Sequence, residues 1–228
     1  MAEIHRTTMA PGKLELLSRW MAEQPWYLGK NGPPTLTKAG GFRFDDPMGE
    51  VGIEFMFVTD AAEEETNIYH VPLSYRGAPL IGAGVGLLGT AEHGVLGRRW
   101  IYDGAHDPVV VAGLLALAQG AAEPQHQNLS DTPDPSVAGR SSGAVRLTAS
   151  SSPSSPPRSD GSRTSIDLVA VDQSGSAAGR VAVEIMRILR AGASTFLTDG
   201  STAILGHVEA EWGGPAGSTT RGCIALVR

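Results

Sequence analysis

The sequence predicts an α+β protein built mainly from antiparallel sheet. Three observations carry that expectation: a succession of short β-rich segments joined by tight turns, only two segments with convincing helical character, and a high count of turn formers, with 29 Gly and 15 Pro in 228 residues. Connections of a few residues favour antiparallel pairing, because a parallel pair needs a long crossover.

The first helix is expected over residues 11–23. Leu14, Leu17, Trp20 and Met21 recur at spacings of three and four and form one apolar stripe. Pro11 suits a first turn and Pro25 ends the helix. Strands follow over 35–44, broken by Gly40-Gly41, then over 51–58 and 67–75, with turns at 45–49 and 60–65. Residues 98–102 form a further short strand. Asp107 then caps a second helix whose first turn holds Pro108. Its body, 109–118, is apolar all round, so it should be sandwiched between layers.

Residues 123–142 are polar and turn-rich and are expected to link two units, 1–122 and 143–228. In the second unit, 144–149, 165–171, 180–189, 203–212 and 223–227 read as strands, with Gly-rich turns at 172–179 and 213–218. Residues 151–162 hold six Ser and three Pro and are expected to be a mobile loop.

The net charge of −6, with no basic cluster, gives no source for counterion release on nucleic acid and no attraction to an anionic membrane. The start of the chain lacks the apolar stretch of a signal peptide, and no run approaches a membrane span. The single cysteine, Cys223, lies in an apolar run and reads as a buried small hydrophobe. Together these point to a cytoplasmic protein.

Gly84-Val85-Gly86-Leu87-Leu88-Gly89 spells a dinucleotide fingerprint, with Asp103 where a ribose-binding acid would stand. The segment after it, with Gly94 and Gly97, cannot form the helix whose N-terminus must face a pyrophosphate, so it reads as a glycine-rich loop. Neither a P-loop nor a nucleophile elbow occurs. The six histidines, at 5, 70, 93, 106, 126 and 207, form no metal-binding pattern.

Three pieces in order resemble the N-terminal cap of bacterial maltokinases. They are Pro25-Trp26-Tyr27-Leu28-Gly29-Lys30 after the first helix, the strand Tyr69-His70-Val71-Pro72-Leu73, and Trp100-Ile101-Tyr102-Asp103-Gly104-Ala105-His106-Asp107-Pro108 before the second. The resemblance covers residues 1 to about 120. It implies a curved antiparallel sheet gripping a helix in a cystatin-like manner, and Trp26, Lys30, Trp100, His106 and Asp107 as candidate ligand or partner contacts.

The second unit is similar, more distantly, to a kinase ATP-binding β lobe. Residues 180–189 resemble the strand that carries the nucleotide-binding lysine, with Glu184 at that place, and 204–209 resemble the next strand. Phosphoryl transfer needs a cation on the phosphates, metal-holding acids and a base. The expectation is therefore a non-catalytic binding or regulatory protein that needs no cofactor and no metal. Its expected partner is a protein of maltose or glucan metabolism, or a small carbohydrate, with neither nucleic acid nor membrane as a partner. The alternative is a divergent sugar kinase, or a subunit of one, using ATP and Mg.

Overall fold

A computed structural model describes residues 8–30, 32–62, 67–141, 148–149, 155–171, 176–192, 203–214 and 217–228. The first sheet and its helices are built from β1 (Met9–Ala10), α1 (Lys13–Met21), β2 (Leu36–Asp45), β3 (Gly52–Asp60), β4 (Ile68–Arg76), β5 (Leu87–His93), β6 (Gly97–Asp103), α2 (Pro108–Ala118) and β7 (Gln125–His126). The rest comprises β8 (Ala138–Ser141), β9 (Thr148–Ala149), β10 (Arg158–Ser159), β11 (Arg163–Val171), β12 (Ala177–Met186), β13 (Ile188–Leu189), β14 (Gly206–Gly213) and β15 (Thr219–Val227).

Among the described residues the strands form two sheets, and every strand pair is antiparallel. The first runs β1-β5-β6-β4-β3-β2-β7, with β13 also on β4. The second runs β10-β11-β12-β15-β14-β8, with β9 on β11. The two α-helices are the only ones among the described residues.

Burial on both faces of the first sheet explains its composition. Along β3, Ile53, Phe55 and Phe57 join the core shared with α2 and the second sheet, while Met56 and Val58 pack under α1. A strand covered on both sides reads as an almost continuous apolar run, not a clean alternation. On α1, Leu16, Leu17, Trp20 and Met21 are buried; Leu14 of the expected stripe is only partly so.

Helix α2 touches β4 of the first sheet and β8, β12, β14 and β15 of the second. Its side chains Val110, Val111, Leu114, Leu115 and Leu117 are all buried, the position that a helix apolar all round requires. Each such side chain contributes about 1.5–3 kcal/mol by leaving water.

One apolar core therefore runs from Phe42 through Leu114 to Leu226. Backbone pairing also crosses between the halves: β13 lies on β4, with Ile188 opposite Tyr69, and His70 N–H donates to the Arg187 carbonyl. Within the stretch 123–142, β7 pairs with β2 and β8 with β14.

Several segments differ from their sequence-based expectation. Residues 84–86 form one 3-10 turn that runs directly into β5, a strand hidden by its Gly, Thr and charged residues and paired with β6. Of the serine-rich segment 151–162, residues 151–154 lie outside the described residues. Arg158 and Ser159 pair with β11, and the Ser162 carbonyl accepts from Arg187 N–H. The strand expected over 144–149 is described only at β9, and the turn residues 63–66, 172–175 and 215–216 lie outside the described residues.

Candidate functional site

A cleft of about 550 Å³ opens where the first turn of α1 meets β2, β3 and the segment after β7. Its floor is formed by Met56 and Glu54 of β3. Glu54 stands in a strand that is otherwise apolar and is almost fully buried, so its charge must be offset. Three side chains do this. Lys13 Nζ donates to Oε2, Tyr75 donates its hydroxyl proton to Oε2 at 2.8 Å, and Gln127 Nε2 donates to Oε1 at 2.7 Å.

Burial opposes ionisation of Glu54, but the Lys13 charge and the three donated hydrogen bonds outweigh it, and the carboxyl stays below its ordinary range. Tyr75 responds in the opposite sense. Burial, the Glu54 charge and its hydrogen bond to that carboxylate all raise its pKa well above the usual value, so it remains a neutral donor. Lys13 also lies 5.2 Å from the Tyr75 ring centroid, within cation–π range.

The reach of Gln127 depends on a glycine. Strand β2 bulges between Lys38 and Gly40, and Gly41 follows at φ +138°. A Cβ at Gly41 would stand 2.2 Å from the Phe55 carbonyl oxygen and 2.9 Å from Gln127 Nε2. Gly41, the second residue of the Gly40-Gly41 break in the strand pattern, is therefore what lets the Gln127 amide reach across β2 to Glu54. At the rim, burial depresses the Lys38 pKa; the Glu54 charge opposes this and the Lys13 charge adds to it.

The five contacts expected from the sequence lie elsewhere. Trp26 is fully buried, packed against Trp20 and Tyr69, with the Arg187 guanidinium 5.2 Å from its ring centroid. Asp107 is also fully buried. It accepts from Val109 N–H as the cap of α2 and takes a two-pronged ion pair from Arg76 at 2.6 and 2.7 Å. Trp26 and Asp107 thus have no surface to offer a ligand.

His106 is half-buried against Gly86, where a Cβ would come within 2.5 Å of the imidazole. Burial lowers the His106 pKa, with Asp103 opposing and Arg187 adding to the effect. Trp100 is half-buried on β6, and Lys30 is exposed beyond α1. Among the described residues no group of three or more His, Cys, Asp or Glu is placed to hold a metal ion, and no helix is long and apolar enough to cross a membrane.

Sequence reasoning missed the cleft residues Lys13, Lys38, Glu54, Gln127 and Asn128. One signal was available: a lone carboxylate inside Ile53-Glu54-Phe55-Met56-Phe57.

Residues 20–107 match the family model of the maltokinase N-terminal cap domain. The match takes in the last two residues of α1, all of β2 to β6 and the cap residue of α2, and spans less than half of the chain. No curated protein matches this chain.

Proposed function

We propose that this chain is a non-catalytic, cap-like binding or regulatory protein of maltose or glucan metabolism, acting in the cytoplasm. The observation that carries the reading is the match of residues 20–107 to a kinase cap. In this reading residues 1–122 are the cap, a cystatin-like sheet gripping α1, and 143–228 are a β module related to a kinase ATP-binding lobe.

The second half supports a non-catalytic role through Glu184. At the place of the nucleotide-binding lysine it is held by Arg163 at 3.2 Å and Arg228 at 3.4 Å, with 13% of its side chain exposed. A carboxylate there repels ATP phosphates, and its two arginines are already engaged with it. Lys30, Trp100 and His106 supply surface for a protein partner.

The test is a coupled assay of ATP turnover by the purified chain with maltose or glucosamine and Mg²⁺. We expect no sugar-dependent turnover, and none from Glu184→Lys, which should also cost about 3 kcal/mol of stability by setting three cations together. Sugar-dependent turnover that disappears on mutation within this chain would establish the alternative, a divergent sugar kinase.

A further inference from the structure

Each carboxylate lining the α1–β3 cleft has its own cation. Glu54 is paired with Lys13, and Glu15 with Arg19 at 2.7 Å one turn along α1. Lys38, which also lines the cleft, has no carboxylate within 4.0 Å and no hydrogen bond among the described residues. Of the two lysines that line the cleft, Lys13 is held by Glu54, and Lys38 is the one with no ion pair among the described residues, in a chain whose net charge is −6.

The neutral groups beside it are also unsatisfied. Gln127 spends one N–H on Glu54 and its carbonyl oxygen accepts nothing among the described residues. The Asn128 side-chain amide, at the mouth, makes no hydrogen bond among them. Glu54 Oε1 accepts from Gln127 alone, and a carboxylate oxygen has room for a second donor. Acceptors and donors are therefore interleaved around one unpaired ammonium. A hydroxyl both donates and accepts, so adjacent hydroxyls match such a lining, while a purely apolar molecule would leave these groups unpaired. The volume of about 550 Å³ suits a ligand of one or two sugar rings.

We propose that this cleft binds a small polyhydroxylated molecule carrying one anionic group, a sugar acid or a sugar phosphate. Lys38 Nζ pairs with the anion, and Gln127, Asn128 and Glu54 Oε1 take the hydroxyls. The proposal rests on the reading of the chain as a binding protein and names the ligand class of that role.

The experiment is isothermal titration of the full chain with glucose 6-phosphate and glucuronate as anionic probes, glucose and maltose as neutral ones, and inorganic phosphate alone. At least one anionic sugar should bind at one site, about tenfold or more tighter than either neutral sugar. Lys38→Met, at an exposed position, should erase that advantage without changing the melting temperature. Asn128→Ala should weaken the anionic sugar several-fold and leave inorganic phosphate unaffected.

No saturable binding of either anionic sugar up to about 10 mM overturns the proposal. So does an affinity unchanged by Lys38→Met, or inorganic phosphate binding as tightly as the sugars. None of these results bears on ATP turnover, which decides the wider reading. Conversely, turnover together with Lys38-dependent binding would remove the non-catalytic role and leave the ligand class standing.

Discussion

The Arg187 guanidinium, fully buried between β12 and β13, donates from Nη2 to the Asp103 carboxylate at the end of β6 at 2.6 Å. The bond runs from one half of the chain to the other. Arg187 Nε donates to Thr164 Oγ1 at 2.7 Å, and the guanidinium also lies near the Trp26 ring.

A buried charge loses its hydration whether or not its partner is present. Asp103→Ala should therefore destabilise the protein by about 3–5 kcal/mol, since it leaves Arg187 buried without a counter-ion. The double variant Asp103→Ala, Arg187→Met should recover part of that loss. Urea unfolding at neutral pH measures both. A single-variant loss below about 1 kcal/mol would show that Arg187 finds another partner or water.

His70 predicts a pH dependence. It is fully buried, with Nδ1 3.0 Å from the Met186 carbonyl oxygen, and burial together with the nearby Arg187 charge pushes its pKa down to about 3. In the unfolded chain it titrates near its ordinary value of about 6.5. Between those values the unfolded state binds the extra proton. Stability is full above about pH 6.5 and falls with acidification by up to about 1.4 kcal/mol per pH unit from this residue. His106 and His207, also shifted downward, add to the slope. Unfolding free energies at pH 6.5, 5.5 and 4.5 should show a shallower decline for His70→Asn than for the native chain; equal slopes would show that His70 is protonated in the fold.

The serine-rich segment should divide in two. Removing residues 152–156 should shift the melting temperature by no more than about two degrees, because Ser152-Pro153-Ser154-Ser155-Pro156 carries no large apolar side chain for a core and chain length enters closure entropy only logarithmically. Removing 158–162 should cost far more, since it deletes β10, the Arg158–Asp167 ion pair at 2.7 Å and the Ser162 carbonyl that receives Arg187 N–H. Differential scanning calorimetry on the two deletions separates these cases.

Local chemistry was sufficient for much of the architecture. The stripe of Leu17, Trp20 and Met21 forms one face of α1, Asp107 and Pro108 start α2, and the all-apolar body of α2 lies between sheets, because each feature depends on residues a few positions apart. Strand β5 is not legible in the sequence because hydrogen bonding to β6 holds it, and its own composition does not announce a strand. Polarity alone marks the stretch 123–142, and β7, β8 and β13 take their places through partners distant in the chain.

The cleft shows the same contrast at the level of single residues. The sequence itself marks Glu54 as a charge in an apolar strand and Gly40-Gly41 as a break. Only the tertiary structure brings Lys13, Tyr75 and Gln127 to that carboxylate, from 41, 21 and 73 residues away. It likewise buries Trp26 and Asp107, which the sequence had offered as contacts. The physical reason is that a buried charge must be paired, and the partner that pairs it is chosen by proximity in space, which the register of β2 and β3 and the docking of α1 decide.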